Sequence, residues 1–326
     1  MDKKILNRIL KKALVPDLIT TLSDRLSLPD LQSLLLKVYS LRVQKLNSAY
    51  LSQQYSQNRF VQPAHVLPQK SIEFEQLAFS LLPAGFQTVE LSPLCPLGTS
   101  SALAPVDQNN VVTTIRNTEV CSDSTNVLAL ECARRRQSIL STAPASSEKI
   151  KICTSHRVVR AQTFNEPGAY AHFKLLALVS AGRDEGSFYF EVANVHEHLD
   201  FYIKLLHGCS SVGLKIHDIR VHIYDLENNR HEVLNNSVVL PLKAIFSDIK
   251  VDFRKAPKDI RDYYSQVRFQ IFIRNSAGTD FLITDGGLTN WTQKLLSNRK
   301  ERLLCSGLGS ERLLSCFMDG ESTYMK

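Results

Sequence analysis

No stretch of the sequence approaches the roughly 18 uninterrupted apolar residues that a membrane-spanning helix requires; the best run, Leu175 to Val179, is short and follows Lys174. There is no glycine-rich loop ending in Gly-Lys, no His-Glu-x-x-His, and no Cys-x-x-Cys or Cys/His pair at zinc-ligand spacing. These absences exclude a P-loop nucleotide enzyme and a zinc peptidase, and predict no metal site. The seven cysteines are odd in number and irregularly placed, which excludes a disulfide framework and points to a reducing cytosol. The opening MDKKILNRILKKAL lacks the continuous apolar centre of a signal peptide, because Asn7, Arg8, Lys11 and Lys12 interrupt it, so it reads as mature sequence of a soluble cytoplasmic protein.

What is present is ordinary globular material: 326 residues, 44% apolar and 22% charged, enough for one large domain or two. The net charge of +7 is concentrated at one end. Residues 1 to 60 hold ten Lys/Arg against four Asp and no Glu, leaving the remainder almost neutral. Within this segment Ile5, Leu6, Ile9, Leu10, Ala13 and Leu14 recur at helical spacing opposite Lys4, Arg8, Lys11 and Lys12, an amphipathic basic helix. A second helix is predicted over 16–26 and a third from about Pro29, capped by Ser27 or Asp30. Three short basic helices fit either a nucleic-acid-binding unit for RNA or DNA or a small bundle with a solvated basic face. The stretch LSQQYSQNRFVQPAHVLPQK, residues 51–70, lacks periodicity and carries two prolines, so it reads as a linker. Two units follow, a basic helical segment at 1–60 and a second domain at 61–326.

From Ser71 strands and helices alternate. IEFEQLAFSLL reads as a helix ended by Gly85, with QTVELSPL extended behind it. NVVTTIR, KICTSHRVVRA, FKLLALVSA, FYFEVA, KIHDIRVHIY, QVRFQIFI and DFLIT read as strands, several alternating as antiparallel strands do. Helices are predicted at 125–138, 192–207 and 309–316, and the two histidines of VHEHLD as solvent-facing. The fold class is α+β, a large antiparallel sheet flanked by helices. The helix around Phe74 carries apolar residues on much of its circumference, which predicts a two-fold homodimer through that surface.

Three blocks occur in a characteristic order. IEFEQLAFSLLPAGFQTVELSPL resembles the first motif of the class II aminoacyl-tRNA synthetases, SHRVVRAQTFNEPGAYAHFKLLALV their second, and LLCSGLGSERLL the Gly-Leu-Gly-x-Glu-Arg third motif. Upstream of the last, ITDGGLTNWTQKL is similar to a glycine-rich passage of the histidyl-type enzymes. The resemblance covers about four-fifths of the chain. It implies ATP with Mg²⁺ as cofactor, with Arg160 on the α-phosphate, Arg312 on the pyrophosphate, Phe173 under the adenine, and Gly307 and Gly309 permitting close approach of the nucleotide. Arg157, three residues before Arg160 and hence on the opposite strand face, is the alternative in another register. Gln162 stands where the family has Glu, and cannot supply a negative charge. The dense polar set Arg116, Asn117, Glu119, Asp123, Thr125, Asn126 and Glu131 lies where the family reads a substrate amino group; Glu119 or Glu131 would hold that ammonium, while Ser122, Asp123 and Ser124 equally fit a helix cap. Asp285 beside Gly286 and Gly287 would contact substrate or form a turn.

The implied activity is ATP-dependent activation of an amino acid or other small carboxylate by a synthetase paralogue lacking an anticodon-binding domain. A catalytically silent ligand-binding relative, favoured by Gln162, and a transcriptional regulator with a basic DNA-binding end are the other two readings.

Overall fold

The computed structural model describes residues 3–163, 166–255 and 263–318. The chain begins with α1 (Lys3–Ala13), α2 (Leu18–Thr20), which widens into a π-turn to Arg25, α3 (Leu28–Val43) and α4 (Ser48–Gln57). Ser27 accepts the Asp30 amide at 3.2 Å and Pro29 sits in the first turn, so α3 starts at its predicted cap. Asn47 caps α4 in the same manner, and the helix takes up the first part of the expected linker. No residue of these four helices is buried.

The larger part runs α5 (Pro68–Ser80), β1 (Phe86–Thr88), β2 (Leu94–Pro96), α6 (Thr99–Leu103), β3 (Thr118–Val120), α7 (Ser124–Thr142), β4 (Ile150–Val159), β5 (His172–Arg183), α8 (Tyr189–Gly208) and β6 (His217–Asp225). It continues through α9 (His231–Leu234), α10 (Leu240–Ile245), β7 (Lys250–Phe253), β8 (Ser265–Arg274), β9 (Asp280–Thr289), α11 (Trp291–Leu296), β10 (Glu301–Leu308) and α12 (Ser310–Phe317). Eight strands form one sheet in the order β1-β4-β5-β10-β9-β8-β6-β7; only the two edge pairs, β1 with β4 and β6 with β7, are parallel. The α+β antiparallel class is therefore observed.

Helices cover both faces. Along β5, Leu176 and Leu178 join the core beneath α8, whereas Ala177, Val179 and Ala181 join the one beneath α7. A strand covered twice is continuously apolar, so β10, buried between β5 and β9, is invisible to an alternation test. Two predicted strands are corrected. FYFEVA is the start of α8: Gly186 and Phe188 take positive φ and turn the chain, after which Val192, Val195, Leu199, Tyr202 and Leu206 recur at helical spacing. NVVTTIR is an irregular arm that folds back on β3 through a turn at Asn117, φ +54°, with one bridge from Thr113 to Glu119. His198 is also not solvent-facing; it is fully buried and bridges Ser180 at 2.9 Å and Ser306 at 2.8 Å. Burial lowers its pKa to about 3, which keeps the ring neutral.

Phe74 and Ala78 of α5 belong to the intrachain core, so part of the apolar surplus assigned to a partner is consumed internally; Ile72 (54% exposed) and Phe79 (38%) stay outside. The seven cysteines are free, six of them buried. Among the described residues no helix is long and apolar enough to cross a membrane.

Candidate ligand cavity

A cavity of about 550 Å³ opens on the α7 side of the sheet, walled by the ends of β4, β5, β8, β9 and β10 and by the first residues of α7 and α12. Its position follows from the chain path. Two adjacent glycines in β9 leave room: a Cβ on Gly286 would lie 2.5 Å from the Phe269 ring, and one on Gly287 would lie 2.6 Å from both Tyr264 and the Val267 carbonyl. These contacts draw β8 against β9 and bring Tyr264 and Arg268 beside Asp285.

Of the residues predicted from the motifs, Arg160, Arg312, Phe173, Gln162, Gly307, Gly309 and Asp285 all line this cavity. Arg160 Nε donates to the Ser122 carbonyl at 3.0 Å, its Nη2 stands 3.5 Å from Asp123 Oδ2, and its guanidinium lies 5.1 Å from the centre of the Phe173 ring. Arg312 reaches Glu166 at 3.3 Å, and Arg268 grips Asp285 with two parallel hydrogen bonds.

Arg157, Glu119 and Glu131 do not line the cavity. Arg157, on the other face of β4, pairs with buried Glu311 at 2.9 Å and donates to His172 Nδ1 at 2.9 Å. Glu119 is buried and accepts the amides of Gly98 and Ser100, both at 2.8 Å, at the start of α6, and the Gln108 side chain at 3.0 Å. Burial pushes its carboxyl up, but these donors outweigh it and hold the pKa below the usual range. Glu131 lies about two helical turns inside α7, bonded to Arg134 and Arg135; the Arg134 hydrogen bond foremost brings its pKa to about 2. Both acids are thus occupied by structural partners.

The acid of that polar stretch that does face the cavity is Asp123. Its Oδ1 caps α7 by accepting the amide of Thr125 at 2.9 Å and the Thr125 hydroxyl at 2.8 Å; its Oδ2 accepts the Tyr263 hydroxyl at 3.3 Å. The cap and the cavity residue are one side chain. Tyr263, Tyr264 and Arg268, also in the wall, are unmarked in the sequence because they reach the site only through the β8–β9 pairing.

The chain between the two predicted units touches the same wall. Arg59 donates to the carbonyls of Ala161 and Gln162, His172 Nε2 lies 2.6 Å from the Gln62 carbonyl, and His65 stacks on Tyr170 with ring centres 4.6 Å apart. Tyr170 and Ala169 line both the main cavity and a smaller one, of about 230 Å³, beneath this segment.

Comparison with solved structures finds the same arrangement of sheet and helices. The histidyl-tRNA synthetase of S. aureus without ligand superposes with a TM-score of 0.54 at 16% identity, over 78% of this chain and 68% of that one. A Bacillus halodurans protein described as an ATP phosphoribosyltransferase regulatory subunit/histidyl-tRNA synthetase gives 0.54 at 14% identity, over 78% and 82%. The core has the class II synthetase fold. A putative threonyl-tRNA synthetase of Aeropyrum pernix matches it at a TM-score of 0.56 and 10% identity, over 76% of this chain and 58% of that one. In sequence, no family model and no curated protein matches.

Within this class II core the cavity's charge is balanced. Among the described residues its charged lining consists of Arg160, Arg268 and Arg312 against Asp123, Glu166 and Asp285, and each guanidinium faces one of the carboxylates. Among the described residues no group of three or more His, Cys, Asp and Glu side chains is placed to hold a metal ion. A triphosphate with its magnesium needs uncompensated cations and vacant carboxylates; this lining offers paired ones, and fits that ligand poorly.

Proposed function

We propose that the cavity binds a small zwitterion of the amino-acid type, and that the protein is a ligand-binding relative of the class II synthetases. The observation that carries this is the loose pair between Arg160 and Asp123, 3.5 Å apart, each held in place by other partners. A ligand ammonium against Asp123 and a ligand carboxylate against Arg160 would replace one stretched ion pair by two close, charge-assisted contacts, each worth about 2 kcal/mol. The volume admits such a ligand with room beyond it, and the charge balance of the described lining favours it over a polyanion.

The second reading, ATP-dependent activation of an amino acid or other carboxylate, draws support from the meeting of Arg160, Phe173, Gly307, Gly309 and Arg312 in one cavity. Pyrophosphate exchange screened over the twenty amino acids and common carboxylates separates the two. Exchange at the background rate throughout is expected; stimulation by any one carboxylate makes the chain an adenylate-forming ligase and removes the first reading.

The partner proposals rest on the outer surface. Exposed α1, with Lys11 and Lys12 in its last turn, offers a polyanion such as RNA or DNA a basic face, and Ile72 with Phe79 is where a second copy would pair. Sedimentation velocity of the intact protein, with and without a short RNA and across a salt series, should give a mass near twice 36.7 kDa and an RNA complex that dissolves at high salt. A monomer at micromolar concentration removes the dimer, and salt-independent or absent RNA binding removes the polyanion.

A further inference from the structure

We infer that the Arg268–Asp285 pair selects a ligand whose side chain ends in a neutral group able both to donate and to accept hydrogen bonds, of which a primary carboxamide is the simplest. This rests on the reading of the cavity as a zwitterion site.

Arg268 from β8 and Asp285 from β9 meet edge to edge, Nε to Oδ1 at 2.8 Å and Nη2 to Oδ2. The guanidinium lies 5.7 Å from the centre of the Tyr224 ring and 5.5 Å from that of Tyr264. Tyr224 is fixed in turn by donating its hydroxyl to Gln270 Oε1 at 2.7 Å. The pair is bidentate and flanked by these rings, and its side chains are only 13% and 33% exposed. Asp285, Arg268 and Asp123 line one cavity, so the pair forms part of the wall around a ligand anchored at Asp123.

The pair's geometry sets what may lie against it. Asp285 engages Nε and one hydrogen of Nη2, which leaves the second Nη2 hydrogen next to the outer lone pair of Oδ2. A donor and an acceptor are thus presented side by side. A ligand carboxylate or ammonium brought to this wall would lose its water, yet the paired partner is already neutralised and offers no uncompensated opposite charge. An aliphatic end would cover the free Nη2 hydrogen and the carboxylate without replacing their water, leaving polar groups unmatched. A carboxamide meets both, its C=O accepting from Arg268 and its NH₂ donating to Asp285.

Calorimetric titration of the full-length protein with L-glutamine, L-glutamate and L-methionine compares three ends on side chains of nearly equal length; L-asparagine, L-aspartate and L-leucine repeat the comparison one atom shorter. The amide of at least one set is expected to bind tenfold or more tightly than both of its analogues. In Asp285→Asn the uncompensated Arg268 is expected to reverse the order of amide and acid. Binding of all three ends within threefold at both lengths, or an unchanged order in a folded Asp285→Asn protein, overturns the inference while leaving the zwitterion site in place. If none of the six binds, the zwitterion reading fails and the inference with it. Should the variant not fold, as judged by circular dichroism, the wild-type ranking decides alone.

Discussion

Replacing Glu301 by glutamine is expected to lower the stability of the folded chain by about 3–5 kcal/mol, the cost of leaving a buried cation without its counter-ion. Glu301 in β10 and Arg136 in α7 are both completely buried and joined by two hydrogen bonds, of 2.8 and 2.9 Å. The same guanidinium donates to the carbonyls of Glu148 at 2.7 Å and Ser146 at 3.1 Å, so it ties the loop before β4 to the helix that carries Asp123. Thermal unfolding followed by circular dichroism should show a drop of roughly 10 °C. The double change Arg136→Met with Glu301→Leu removes both charges and should recover most of the loss, because the desolvation penalty disappears with them. A single change that costs under about 1 kcal/mol would mean that water reaches the pair.

The second large effect is on binding. Asp123→Asn keeps an oxygen for the Thr125 amide, so the cap of α7 survives and stability should change by no more than about 1 kcal/mol. The negative charge facing the cavity is lost, and Arg160 keeps only the Ser122 carbonyl and the Phe173 ring. Affinity for the zwitterion is expected to fall about 10- to 100-fold, the worth of one desolvated charge-assisted contact. Glu131→Gln, by contrast, alters an acid already committed to Arg134 and Arg135 outside the cavity and should leave affinity unchanged.

The contrast between Asp123 and the two glutamates shows where the sequence is informative. Ser122, Asp123 and Ser124 before an apolar periodic run mark a helix start, and the structure puts the cap there. Which acid of that polar stretch faces the ligand depends on the path of the arm before β3. Its turn at Asn117 directs Glu119 into the start of α6, a long-range consequence that no local spacing encodes. Strand parity is local, and it places Arg157 and Arg160 on opposite faces of β4, with Arg160 on the cavity side. The aromatic run FYFEVA misleads because six residues are too few to tell period two from period 3.6, and the turn before them is made by a strained backbone rather than by a capping side chain. Arg268 and the two tyrosines beside it could not be linked to Asp285 without the register of β8 on β9, which the glycine pair makes possible.

On the proposed reading, the cavity takes a charge-balanced amino-acid-like ligand in preference to a nucleoside triphosphate. Titration calorimetry of the intact protein, against the amino-acid panel and separately against ATP with magnesium, separates the two ligands. Micromolar binding of at least one amino acid, weakened in Asp123→Asn, and no heat from ATP up to millimolar concentration are expected. Micromolar ATP binding that is lost in Arg160→Ala and Arg312→Ala, with no amino acid bound in its absence, would contradict that reading.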